Sequence, residues 1–124
     1  MEGLIVKQPY AKLIIDGKKE WELRSRCPPS KKLSKELYLL SSGKVLGKIK
    51  IETHWVANKK DLEKNIDKHC SETSFLPKHH VSHVWKVQVI KKFSKPKKYV
   101  HPTGARVWVK NVSFKPQPSI LNFV

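Results

Sequence analysis

Lys19, Glu22 and Arg24 fall within one short stretch, Gly17-Lys18-Lys19-Glu20-Trp21-Glu22-Leu23-Arg24, and together they could build a polar pocket. Strict strand alternation from Glu20 puts Glu20, Glu22 and Arg24 on one face and leaves Trp21 and Leu23 to pack the other. Lys19 has the wrong parity. It joins the others only if the chain bends ahead of the strand, which Gly17 permits. In such a pocket Arg24 holds Glu22 ionised, Glu22 accepts from an amino group of a base, and Lys19 approaches a carbonyl or phosphate. A lysine desolvated there has a lowered pKa and could serve as base or nucleophile, while a neighbouring glutamate pushes the pKa back up. The plainer alternative is a solvated edge strand of mixed charge.

The rest of the composition favours a polyanionic partner. Lys plus Arg number 26 against 10 Asp plus Glu in 124 residues, a formal charge of +16. That is more than solubility requires, and nucleic acid is the usual partner because neutralised phosphates release counterions. Arg24, Arg26 and Arg106 are the only arginines; the other cations are lysines, which make point contacts with phosphate and read little sequence. No basic amphipathic helix, lipidation motif or membrane-length apolar run is present, so no membrane role is expected. Cys27 and Cys70 do not amount to a disulfide framework and no apolar leader-like run follows Met1, so a reduced, cytoplasmic protein is expected.

The elements that must position the pocket can be read from periodicity. Gly3 to Lys7 predicts a buried strand, and Pro9 opens a short helix with Tyr10, Leu13 and Ile14 on one face, stopped by Asp16-Gly17. After the motif strand, Cys27-Pro28-Pro29-Ser30 is a break. Glu36 to Ser41 predicts a strand, and Ser42-Gly43-Lys44 its turn. Val45, Gly47, Ile49, Ile51, Thr53 and Trp55 alternate with Lys48, Lys50, Glu52 and His54, predicting a long half-buried strand. Asn58 caps a predicted helix from Lys59 to His69. Ser71 to His83 is irregular, Val84 to Phe93 is a strand interrupted by Lys95-Pro96-Lys97-Lys98, and Gly104 to Val112 is a last strand. Ile120, Leu121 and Phe123 in the tail are expected against the core. The whole predicts an α+β fold, residues 1–124 as a single domain: a small, mostly antiparallel barrel or strongly curled sheet with two short helices.

Further residues are candidates for nucleic-acid contact. Lys91, Lys92, Lys95, Lys97 and Lys98, with Phe93 and Tyr99, form the densest basic run and a natural phosphate patch. Trp108 shares parity with Arg106 and Lys110, a pairing of ring and cation used at single-stranded sites, whereas Trp21, Trp55 and Trp85 sit on apolar faces and read as core. Tyr10 and Arg26 flank the motif. His69, Cys70, His79, His80 and His83 cluster in sequence, and His79 and His83 have the i, i+4 spacing of a helical ligand pair, but the segment does not read as helical and no Cys-x-x-Cys accompanies them, so neither metal nor cofactor is expected.

Gln8-Pro9-Tyr10-Ala11, then Leu13-Ile14, then Gly17-x-Lys19-x-x-Glu22-x-Arg24 resembles the signature of the ASCH domain family. Val45-Leu46-Gly47-Lys48-Ile49 and the Gly104 to Lys110 strand extend the resemblance less specifically. It implies a PUA-like β-barrel, related to RNA-binding PUA domains and to modified-base readers of the YTH and EVE type, with an RNA-facing cleft lined by Lys19, Glu22 and Arg24. Family members include RNA-binding accessory modules, a ribonuclease, and an amidohydrolase that removes the acetyl group from 4-acetylcytidine. In that amidohydrolase the motif lysine is catalytic, matching Lys19, but a threonine nucleophile stands where this chain has Glu22. That substitution removes the threonine mechanism. Glu72 matches the region of the amidohydrolase's second carboxylate. An RNA-binding domain that recognises a nucleotide or modified base is therefore the expectation, with a small hydrolase on RNA or nucleosides, using Lys19, Glu22 and Glu72, as the alternative.

Overall fold

The computed structural model describes residues 1–116. The chain runs β1 (Gly3–Ile5), α1 (Tyr10–Ile15), β2 (Trp21–Arg24), a 3-10 turn (Ser30–Lys32), β3 (Glu36–Ser41), β4 (Lys44–Asn58), α2 (Lys59–Lys64), α3 (Ile66–His69), β5 (Val81–Lys98) and β6 (Trp108–Val109). The six strands form one mixed sheet in the order β2-β5-β4-β3-β1-β6, with β1 parallel to β3 and the other pairs antiparallel. This is an α+β fold, but backbone pairing does not close the sheet into the expected barrel. Its edge strands β2 and β6 remain unpaired to each other, and a side chain spans the seam, as described below.

The long β4–β5 hairpin is the frame. From Gly47 to Ile51 the burial alternates as predicted; Leu46, at a bulge, is buried along with Val45 and Gly47, and beyond Ile51 a further register shift changes which side chains face inward. Gly47 is required by a close approach: a Cβ there would stand 2.1 Å from the Lys91 carbonyl oxygen. Contrary to expectation, Lys95-Pro96 does not end β5. Gly47 pairs with Lys92 and Val45 with Lys97, so the residues between bulge out and carry the proline where no ladder hydrogen bond is asked of it.

The predicted helix from Lys59 to His69 is two helices. Asn58 caps α2 through a reciprocal pair of bonds with Asp61, as its sequence suggests. Asn65 then leaves helical geometry, and its side chain donates to the Asp61 carbonyl at 2.8 Å, competing with the helical ladder. The described residues thus hold three short α-helices rather than two. The last strand is also shorter than the Gly104 to Val112 prediction, because Gly104 adopts a positive φ and Ala105 turns back to Pro102. The tail residues Ile120, Leu121 and Phe123 lie outside the described residues.

The core sits where α1 covers the sheet: Ala11 and Ile14 meet Leu4, Leu39, Ile49 and Trp85. A second cluster beside α2 packs Leu62, Ala57 and Val84 against Trp21 and Trp55, whose rings meet edge to face at 5.0 Å. These two clusters hold α1 and β2 on one sheet, and α3 packs against β2. The three elements meet at the polar motif.

Candidate functional site

The bend that Lys19 needs is present. Asp16 ends α1, Gly17 takes φ +79°, and the amides of Lys18 and Lys19 both return to the Leu13 carbonyl. This carries the Lys19 side chain inward before β2 begins at Trp21. Lys19 is 2% exposed, and its ammonium donates to the Trp21 carbonyl at 2.7 Å and the His69 carbonyl at 2.5 Å and lies 3.7 Å from Glu22 Oε1. It also stands 5.1 Å from the centre of the Tyr10 ring. The His69 carbonyl belongs to the last turn of α3, where main-chain oxygens lack helical partners and attract a cation. His69 is itself locked in the core: its Nδ1 accepts from the Ser71 amide at 3.0 Å, which leaves Nε2 to donate to the Leu62 carbonyl at 2.6 Å. Burial pushes the Lys19 pKa down, and the Glu22 carboxylate opposes that shift.

Glu22 is 6% exposed on β2. Its Oε2 accepts from Nε of Arg24 at 3.0 Å and stands 2.8 Å from Nη2 in the same ion pair. The same Nη2 donates to the Ile5 carbonyl at 2.9 Å. Arg24 on edge strand β2 thereby ties that edge to β1 across the sheet's open seam, with Trp85 beneath its guanidinium at 5.4 Å. Glu22 Oε1 keeps acceptor capacity, since its nearest cation is Lys19 at 3.7 Å.

These groups line a cleft of about 480 Å³. Tyr10, Lys19, Glu22 and Arg24 form its floor, and Arg106 reaches its edge. Glu72, also anticipated, lies on the rim, where the Ser74 and Thr73 amides donate to it and hold its carboxyl below the usual range. Glu20 does not share the site: it pairs with Lys68 at 2.8 Å and lines a separate depression with Glu52 and Lys86. Arg26 and Trp108 line a neighbouring cleft, and Trp108 is stacked on Trp85 with ring centres 5.9 Å apart. Lys92, Lys95, Lys97 and Lys98 lie at the other end of β5; Lys92 is bonded to Asp16, and Lys97 covers Phe93 and Phe114.

Among the lining residues, Phe75 and Ser82 escaped the sequence reading, and His80 was anticipated only as part of the histidine cluster. Phe75, 73% exposed, stands on the rim, and within the cleft the Ser82 hydroxyl meets His80 Nε2 at 2.7 Å. An aromatic stranded in the polar Ser71-to-His80 segment was the available signal for Phe75; nothing local marks Ser82. The other histidines disperse, and among the described residues no three His, Cys, Asp or Glu side chains converge as a metal ion would need.

The family model for the ASCH domain matches residues 4–97, the segment that contains every element lining the cleft floor. The chain belongs to the ASCH domain family. No protein of curated function matches it in sequence. Among solved structures, it is similar to the ASCH protein of Zymomonas mobilis, at TM-score 0.57 and 17% identity over 73% of this chain and 68% of that one. A serine-to-alanine variant of that protein superposes at TM-score 0.62 with 17% identity, covering 78% and 72% of the two chains. A tyrosine-to-phenylalanine variant gives TM-score 0.55 and 19% identity over the same shares. At such identities the likeness is one of fold. Among the described residues no helix is long and apolar enough to cross a membrane.

Proposed function

We propose that this ASCH domain binds RNA and reads one base in the cleft floored by Lys19, Glu22 and Arg24. The observation that carries the reading is the state of Glu22: a buried carboxylate fixed on one oxygen by Arg24 and left with acceptor capacity on the other, beside a cleft of nucleotide size. An exocyclic amine of a base would donate to Oε1, and the exposed ring of Phe75 offers it a stacking face. RNA binding is the general role of the family. The surface agrees: antiparallel pairing sets Lys44 opposite Lys98 and Lys48 opposite Lys91, like-charge pairs that disfavour the hairpin unless an anion lies over them. Fluorescence anisotropy with short single-stranded RNAs at moderate salt tests the reading. Glu22→Gln and Arg24→Ala are expected to lower affinity about tenfold or more and to flatten base preference; unchanged affinity and preference would overturn it.

A second reading, hydrolysis of an RNA or modified nucleoside, draws on the Ser82–His80 contact in the same cleft, where His80 could take the hydroxyl proton during attack. Lys19 contributes less to it than its position suggests, because two of its protons are held by main-chain carbonyls. Incubation with 4-acetylcytidine and with mixed RNA, beside Lys19→Ala and Ser82→Ala, separates the readings: turnover by the parent protein that either variant loses establishes the enzyme.

A further inference from the structure

All three arginines of this lysine-dominated chain line one of two adjoining clefts. Arg106 lines the first, Arg26 the second, and Arg24 both. The second cleft, about 410 Å³, is walled by Arg26, Cys27, Pro29, Val107 and the half-buried ring of Trp108, which rests on buried Trp85. Trp85 is held in turn by its indole N–H, donated to the Arg26 carbonyl at 2.9 Å. The wall shared by the clefts is Arg24. Its Nε and Nη2 are committed to Glu22 and Ile5, while among the described residues Nη1 makes no hydrogen bond. A guanidinium with two free N–H groups between two nucleotide-sized clefts is placed for a phosphate diester.

From this arrangement, and resting on the base-reading site proposed above, we infer that the Arg26–Trp108 cleft is a second nucleotide subsite. It takes the neighbour of the base held at Glu22, and Arg24 Nη1 donates to the phosphate that joins the two. Arg26, exposed and among the described residues engaged only through its main-chain carbonyl, is placed to meet the second base or its outer phosphate. Trp108 supplies an apolar wall against that base.

Calorimetry with the four ribonucleoside 5′-monophosphates, then with dinucleotides built from whichever binds, reads the inference directly. The dinucleotide is expected to bind about tenfold tighter than its monophosphate, the order of one stacked base or one bidentate contact. In Arg26→Ala that advantage falls below about threefold. Cys27, exposed in the second cleft, gives a readout independent of affinity. Its alkylation by iodoacetamide, followed by mass spectrometry, is slowed by saturating dinucleotide and not by saturating monophosphate. Monophosphate binding without dinucleotide advantage, or an advantage that survives Arg26→Ala with Cys27 unprotected, overturns the second subsite and leaves the first intact. Failure of every monophosphate and dinucleotide to bind overturns the base-reading site and this inference with it.

Discussion

The ammonium of Lys19 is a structural cation before it is anything else. It satisfies two carbonyls from elements far apart in sequence and faces the Glu22 carboxylate, so Lys19→Met leaves all three groups short of a partner. A loss of about 2–4 kcal/mol in unfolding free energy is expected, read from urea denaturation. The pH dependence has a definite sign. Because burial lowers the folded-state pKa below the ordinary 10.5, the unfolded chain binds more protons between those two values, and stability attributable to Lys19 rises with pH across that alkaline window. The gap between the parent and Lys19→Met should therefore widen there; a gap constant from neutral pH to 10.5 would contradict the geometry. Phe75→Ala is the complementary case. Its ring is 73% exposed, so the substitution should leave the denaturation midpoint nearly unmoved while weakening RNA binding by about 1–3 kcal/mol. At this scale the Lys19, Glu22 and Arg24 set was legible from residue type and spacing, and so was the bend at Gly17. The carbonyl of His69 was not, because no side-chain pattern announces which main-chain oxygen a lysine will meet.

At the scale of elements, the hairpin of β4 and β5 carries the fold's least tolerant position. A Cβ on residue 47 would collide with the Lys91 carbonyl, so Gly47→Ala must push the two strands apart. A destabilisation of about 3 kcal/mol is expected, measured by thermal or urea unfolding, with base preference retained in the fraction that folds. The apolar run Leu37 to Leu40 made β3 readable, and alternation did so for the first half of β4, since a half-buried strand imposes a period of two on its own sequence. Three boundaries were hidden. Pro96 signals a break locally, yet the partner strand continues past it by letting β5 bulge. Asn65 splits a helix whose apolar spacing alone reads as continuous. Arg24 bridges the seam that a closed barrel would have filled with backbone hydrogen bonds, and barrel closure is a property of distant strands that no short window contains.

For the molecule as a whole, charge is divided by type. Arginines gather at the two clefts, and lysines spread over the sheet and the far end of its hairpin, so that on the proposed reading the fork-shaped cations serve the nucleotide sites and the lysines serve general attraction to the polyanion. The lysine pairs across β4 and β5 give this division a measurable cost. Lys98→Glu replaces a like-charge pair with Lys44 by an attractive one, and should stabilise the protein by about 0.2–1 kcal/mol. The same change should weaken RNA binding and reduce the salt slope of log K by roughly 0.7 for each phosphate that is no longer neutralised. Base preference should be unaffected. A variant that is both more stable and equally tight in RNA binding would remove this surface from the binding role.

The Lys19 ammonium fixes Glu22 through main-chain oxygens of α3 and β2, and asks nothing of the side chains between Ser71 and His80. The exposed side chains of that segment, Glu72, Ser74, Phe75, Lys78 and His79, can therefore be exchanged without disturbing the charged floor, while Thr73 and Leu76 stay with the core. On the base-reading proposal, exposed rim side chains grafted from another ASCH domain onto this frame should transfer its selectivity while the frame keeps its fold.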